Sequence, residues 1–348
     1  MDMKAAVLRG IGRIELEERE VPSPAYGEVV IRVEACGICG TDQHIYHGLP
    51  GSAAVTPPRV LGHELAGEVV EIGEGVSELS IGDRVSVDPN IYCGRCRYCR
   101  DGRPHLCESL QAVGVTRDGG MAEYCRVPVA NCHRLPDSMS SIEGAMVEPL
   151  GCVLHGIRKI NVWPGASVLI IGGGFIGQLM LQAVKLHGAS PVIISEPDEA
   201  KHELALRLGA DVVVNPLRGD DLERELKRIG GADIVVECVG KAETMQQAVQ
   251  SARKGGQILL FGVSSPDTRI AISPYEVFSK ELTIRGSFIN PHTHTAAISL
   301  IEQGKVRISP LISHTFRLEE VPEVMRKYPE LHVMKGIIRI AATSKTTS

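Results

Sequence analysis

Four apolar residues, Val168–Ile171, run directly into glycines at 172, 174 and 177 and then into a helical pattern. The apolar run predicts a strand buried on both faces. Ile176, Leu179, Met180, Ala183, Val184 and Leu186 mark one face of the helix that follows. The G-x-G-x-x-G spacing assigns each glycine a job: Gly172 for the tight turn, Gly174 for backbone approach to a pyrophosphate, Gly177 for close packing of helix on strand. Phosphates sit at such a helix N-terminus, where unpaired N–H groups and the macrodipole favour negative charge. Gly172, Gly174, Phe175, Ile176 and Gly177 are therefore the expected cofactor contacts.

A glycine turn alone is weak, but this one has its context. The helix runs to about His187. After a Gly188-Ala-Ser190 turn, Pro191–Ser195 reads as a second buried strand, and it ends at Glu196. An acid there would hold the adenosine ribose hydroxyls and repel a 2′-phosphate, which favours NAD over NADP. Strand and helix patterns then alternate. Strands are expected at 211–215, 233–238, 257–262 and 283–286, with helices at 199–208, 222–229 and 243–252. The alternation predicts a doubly wound parallel sheet over about 153–290.

The N-terminal ninety residues read differently. Short strands at 4–8, 14–18, 28–35, 68–72 and 84–87, joined by glycine turns, predict a barrel-like β domain. Residues 142–157 read as helical. So do 296–302, and a last strand at 336–340 is expected to rejoin the β domain. The small polar residues after Ala341 are expected to be disordered.

The 348-residue chain carries a net charge of −5, which argues against nucleic acid or an anionic membrane as partner. No apolar run approaches the ~20 residues needed to span a bilayer. The opening Met-Asp-Met-Lys-Ala-Ala-Val lacks a secretory pattern, so a cytoplasmic location is expected. In that reducing setting ten cysteines point to metal or catalysis rather than disulfides.

Cys93, Cys96, Cys99 and Cys107 fall within fifteen residues. Four thiolates so spaced can close a tetrahedral shell around a structural zinc. Arg95, Arg97, Arg100 and Arg103 would offset their charge. A second, dispersed set comprises Cys39, His63, Glu64 and Glu148. Three protein ligands with one vacancy is the pattern of a catalytic zinc, but spacing alone does not single these residues out, and Cys36 competes with Cys39.

Gly62-His-Glu-x-x-Gly67-x5-Gly73-x-x-Val76, the four-cysteine lobe and the central nucleotide-binding pattern together resemble the zinc-dependent medium-chain alcohol dehydrogenases. The resemblance runs from Lys4 to Ile340. It implies an α/β protein with a GroES-like catalytic domain (residues 1–152 and 291–348) enclosing a Rossmann domain (153–290). It implies two zinc ions per chain and NAD. Cys39 and His63 take the first two catalytic ligand positions, and Glu148 or Glu64 completes the set. Thr41 and His44 match the family's proton-relay positions. The implied reaction is hydride transfer from a small-molecule alcohol, in a homo-oligomer that is a tetramer or a dimer.

Glu64, Glu148 and the Glu148-Pro-Leu150 sequence resemble the polyol (sorbitol-like) branch, which oxidises a secondary alcohol of a sugar alcohol to a ketose. Cys39-Gly-Thr-Asp-x-His-Ile-Tyr46 equally resembles L-threonine 3-dehydrogenases, the main alternative. Ile45 after the relay histidine and Ile289-Asn290 after Ser287-Phe288 depart from the sorbitol pattern and weigh against hexitol specificity, which leaves a pentitol, a tetritol or a phosphorylated polyol open. His292 and His294 are candidates to face the pocket, although a surface loop is the commoner explanation for histidines in such a stretch. A zinc-less quinone reductase would lack both metal sets, whereas all eight candidate ligands are present; a non-catalytic NAD-binding relative is the more remote alternative.

Overall fold

The computed structural model describes residues 1–219 and 221–340. The tail beyond Ala341 lies outside the described residues. The chain divides into two units, residues 1–151 together with the chain from Asn290 onward, and Cys152–Ile289.

The first unit is built mainly from antiparallel strands. β1 (Asp2–Gly10), β2 (Arg13–Glu20), β3 (Glu28–Ile38), β4 (Arg59–Val60), β5 (Glu64–Ile72) and β6 (Arg84–Val87) come first. Then follow β7 (Asn90–Ile91), β8 (Gln111–Ala112), β9 (Tyr124–Pro128) and β10 (Cys132–Arg134). β1 sits between β2 and β4 in a three-stranded sheet. The β5 strand is flanked by β3 and β6, and β6 by β10. Val29, Ile31 and Val33 of β3 and Leu65 and Val69 of β5 point into one apolar core, as the period-2 pattern requires.

The second unit carries six parallel strands: β11 (Val168–Ile171), β12 (Val192–Ser195), β13 (Val212–Val214), β14 (Ala232–Glu237), β15 (Ala252–Leu260) and β16 (Thr283–Gly286). Their spatial order is β13-β12-β11-β14-β15-β16, the 3-2-1-4-5-6 arrangement of a dinucleotide-binding sheet. Every residue of β11, β12 and β14 is buried, which is why their centres read as apolar runs, with Ser195, Asp233 and Glu237 at the strand ends.

The chain then returns to the first unit through β17 (His314–Arg317) and β18 (Gly336–Arg339). β18 pairs antiparallel with β3, Ile338 opposite Cys36, and parallel with β17. The expected last strand therefore does rejoin the β domain.

Three local expectations need correction. The helical stretch 142–157 is two helices, Ser141–Ala145 and Val147–Ile157, with Met146 between them. β15 begins at Ala252, directly after the helix Ala242–Ser251, rather than at Gln257. β17 was not expected: His314-Thr-Phe-Arg317 is short and polar, and presents no apolar alternation to detect.

Candidate active site and metal centres

Cys39 follows β3 directly and caps the helix Gly40–Tyr46. Its backbone N–H donates to Asp42 Oδ2 at 2.8 Å, a capping contact that fixes where the Cys39 side chain starts. His63 ends the link from β4 and Glu64 opens β5. Ligand atoms of Cys39, His63 and Glu64 lie within 4.8 Å of one another. Cys39 is thereby distinguished from Cys36, whose thiol is fully buried and pushed well up by that burial and by the charges of Asp42 and Glu64. Glu148, buried at the start of its helix, is not part of that set of three.

Two residues of this centre were not picked out from sequence. Asp42 is wholly buried, and its Oδ1 lies 3.4 Å from His63 Nδ1. A carboxylate on Nδ1 leaves Nε2 for a metal and orients the ring. The signal was available, since Asp at the third helical position after Cys39 is a capping pattern. Lys335, just before β18, is the other. Its Nζ contacts Glu64 Oε2 and donates to the Ile38 carbonyl at 3.1 Å. No local pattern could have marked it.

The electrostatics suit a divalent cation. Burial would depress His63, but the Asp42 and Cys39 charges beside it hold its pKa well above the ordinary value. Surroundings that favour a proton on His63 also favour a metal in its place. Burial likewise works against the Lys335 ammonium, and the Glu64 and Cys39 charges raise its pKa in spite of it. Gly37 packs on the other side of the Glu64 carboxylate, where a Cβ would overlap Oε2 outright. A soft thiolate, an imidazole and a carboxylate at this spacing fit zinc.

Thr41 and His44 share the helix that Cys39 caps, three positions apart and so on one face. His44 is half-buried, and burial, then His47, lower its pKa. A relay group that is neutral near pH 7 can accept a proton and release it.

The four lobe cysteines also converge, with all sulfurs within 4.8 Å of one another. Cys93 and Cys99 sulfurs are 3.9 Å apart. A tetrahedron of ~2.3 Å Zn–S bonds spaces its sulfurs ~3.8 Å apart. Backbone N–H groups support the thiolates: Cys96 N donates to Cys93 Sγ at 3.3 Å and Ser109 N to Cys107 Sγ at 3.4 Å. The N–H groups of Arg95 and Cys96 draw Cys93 down to about 6. Desolvation and the neighbouring thiols push Cys99 up to about 12, the proton that a metal would displace. The arginines are not all turned to the sulfurs, since Arg97 and Arg103 both pair with Asp101.

In the second unit the helix Phe175–Leu186 starts at its cap, Gly174, as expected. A Cβ on Gly177 would lie 1.8 Å from the Gly172 carbonyl, so the helix can approach the strand only with glycine there. A Cβ on Gly174 would meet nothing within 4 Å, the open space a pyrophosphate needs. Phe175 is buried and Ile176 half-buried. Glu196 follows β12 and is buried; its Oε2 accepts from Gly173 N at 2.7 Å and its Oε1 from Asp198 N at 2.9 Å. Lys201 Nζ stands 3.5 Å from Oε1. The glycine turn and the acid are thus tied together, and the residues fit a dinucleotide.

His294 corrects the surface-loop reading. It is buried, its ring stacks on His133 at 4.8 Å between centroids, and Asn290 Nδ2 lies 3.1 Å from its Nδ1. His292 is exposed. Among the described residues no helix is long and apolar enough to cross a membrane.

Comparison with known proteins agrees with this geometry. Residues 25–137 match the alcohol dehydrogenase GroES-like domain family, and residues 176–303 match the zinc-binding dehydrogenase family. L-threonine 3-dehydrogenase of Pyrococcus horikoshii is 38% identical over 325 residues, covering 90% of this chain and 92% of that protein. Sorbitol dehydrogenase of Bacillus subtilis is 33% identical over 331 residues, covering 94% and 93%. A solved structure from Sinorhizobium meliloti 1021, assigned as a zinc-binding dehydrogenase and bound to NADP, superposes with a TM-score of 0.93 at 39% identity, covering 97% of this chain and 99% of that one.

Proposed function

Because the chain belongs to the zinc-type medium-chain alcohol dehydrogenase family, we propose that it oxidises a secondary alcohol of a polyol, free or phosphorylated, to a ketose with NAD as hydride acceptor. That it is a zinc-dependent oxidoreductase follows from the family itself. The observation that carries the reading is the convergence of the half-buried Cys39 with the buried His63 and Glu64.

Zinc, when bound, would supply a Lewis acid that lowers the pKa of a substrate hydroxyl, and NAD would supply the hydride-accepting chemistry. Cys39 and His63 hold the metal, with Asp42 fixing the His63 ring. Glu64, held by Lys335, and Glu148 supply the remaining carboxylates, one of which completes the set. Thr41 takes the hydroxyl proton toward His44, whose lowered pKa suits release to solvent near neutral pH. The backbone at Gly174 would hold the pyrophosphate of the cofactor, and Glu196 its ribose hydroxyls. Cys93, Cys96, Cys99 and Cys107 hold a second, structural zinc. The polyol-branch resemblance supports a homo-oligomer, tetramer or dimer.

The polyol assignment draws support from Glu148-Pro-Leu150 and from the sorbitol dehydrogenase relative. L-Threonine is the second reading, favoured by the identity to the archaeal enzyme. Both are secondary alcohols with a polar substituent on the next carbon. NAD reduction against D-arabitol, xylitol, ribitol, sorbitol, galactitol, their phosphates, L-threonine and simple secondary alcohols separates them. Preference for a polyol supports the proposal, and preference for L-threonine replaces it with the second reading.

A further inference from the structure

The first unit contains a cavity of about 450 Å³ that includes none of the candidate metal, relay or cofactor residues. That volume lies in the usual range for a small-molecule pocket. Four arginines line it, Arg19, Arg59, Arg117 and Arg126, and they come from different segments. They are organised in pairs. Arg19 and Arg59 share Asp118, at 3.2 and 3.1 Å. Arg117 and Arg126 share Glu28, Arg126 at 3.1 Å. With Glu20, which also lines the cavity, four guanidiniums answer to three carboxylates, so one positive charge is left over.

Unused hydrogen-bonding capacity matters more than that single charge. Each guanidinium has five N–H donors, and a shared carboxylate occupies few of them. Arg59 Nε is shielded from solvent and so is not one of the donors that face the cavity; the side chain offers its terminal N–H groups, which are also the ones that reach Asp118. Asp118 is itself fixed, because its Oδ1 also accepts from Val60 N at 3.0 Å, so Arg19 and Arg59 are held in place rather than free to turn away. The apolar part of the remaining wall is Pro22 and Tyr124, both half-buried, backed by the core residues Met3, Val60, Ala122 and Cys125.

We propose that this cavity binds a small phosphate monoester, its phosphate on the arginines and its carbon body on the apolar wall. Phosphate offers three terminal oxygens to donors arriving from several directions, which matches four guanidiniums better than a carboxylate does. The site lies wholly within one unit and is separate from the pyrophosphate position at Gly174.

The test is calorimetric titration of the zinc-loaded, NADH-saturated protein with glucose 6-phosphate, inorganic phosphate, glucose and citrate. NADH occupies the cofactor's own phosphate sites. Glucose 6-phosphate should bind saturably, one per chain, at least tenfold tighter than glucose. Arg59→Gln should weaken it at least tenfold. Arg126→Glu, at a side chain 44% exposed and so tolerant of change, should do the same and carries the test if Arg59→Gln does not fold. Cys39→Ser should leave binding intact, which separates this site from the metal centre. No saturable binding, binding unchanged in both arginine variants, loss of binding in Cys39→Ser, or citrate binding in preference to both phosphates would each overturn the proposal.

Discussion

Lys335 and Glu64 form an ion pair in which neither side chain is more than 4% exposed. Removing one partner of a buried pair leaves the other charge uncompensated, at a cost of about 3–5 kcal/mol. A divalent cation beside Glu64 would supply the missing positive charge. Lys335→Met should therefore destabilise the metal-stripped protein strongly and the zinc-loaded protein much less. Urea unfolding of both forms measures this. Equal losses with and without zinc would mean that Glu64 does not sense the metal.

The two cysteine sets predict separable zinc counts. Wild type should carry about two zinc ions per chain by elemental analysis. Cys39→Ser should lose one ion and essentially all turnover while still binding NAD. Cys99→Ser should lose the other, with a fall in stability as its main effect. A Cys39→Ser protein that keeps two zinc ions and its activity would remove Cys39 from the ligand set.

Glu196→Ala should weaken NAD by about 10- to 100-fold, on the scale of hydrogen bonds to a charged group. Binding of NADP should improve relative to NAD, because Lys201, now 3.5 Å from the carboxylate, would be left facing a 2′-phosphate. Fluorescence titration with both cofactors decides it. An unchanged preference would remove Glu196 from the ribose.

Acid stability should report on the stacked pair of buried His294 and half-buried His133. Burial draws His294 down to about 4, and burial with its neighbour His294 does the same to His133. Between about pH 4 and 6.5 the unfolded chain binds the extra protons, so stability is lost as pH falls through that window. For the wholly buried His294 the loss is about 3 kcal/mol. Asp88, raised by its own burial, works in the opposite direction. His294→Gln should flatten the pH dependence of urea midpoints between pH 7.5 and 5. An identical slope in the variant would rule His294 out as its source.

What could be read in advance follows from how local each signal is. Val168–Gly177 was legible because a buried strand, a tight turn and a close helix approach each restrict residue type within ten positions. The four lobe cysteines were legible for the same reason. Cys39 stands on a different segment from the adjacent His63 and Glu64, so only the family pattern brought the three together. Lys335 left no trace, since it reaches Glu64 through the pairing of β18 with β3, and a lone lysine before a strand is commonplace. His294 was misread because it follows Pro291-His-Thr293, a polar loop in sequence, which the chain nonetheless folds against His133.

The pairing of β18 with β3 also dictates a timetable. On a ribosome the strand that bears Cys36 and leads into Cys39 emerges first, and the parallel-sheet unit can form while the tail is still being made. The sheet strand that brings Lys335 arrives last. Until then Glu64 has no cation beside it, and the first unit has an open sheet edge at β3. A nascent chain is thus most exposed to mispairing, and to capture of the wrong metal by Cys39, His63 and Glu64, during the synthesis of the inserted unit.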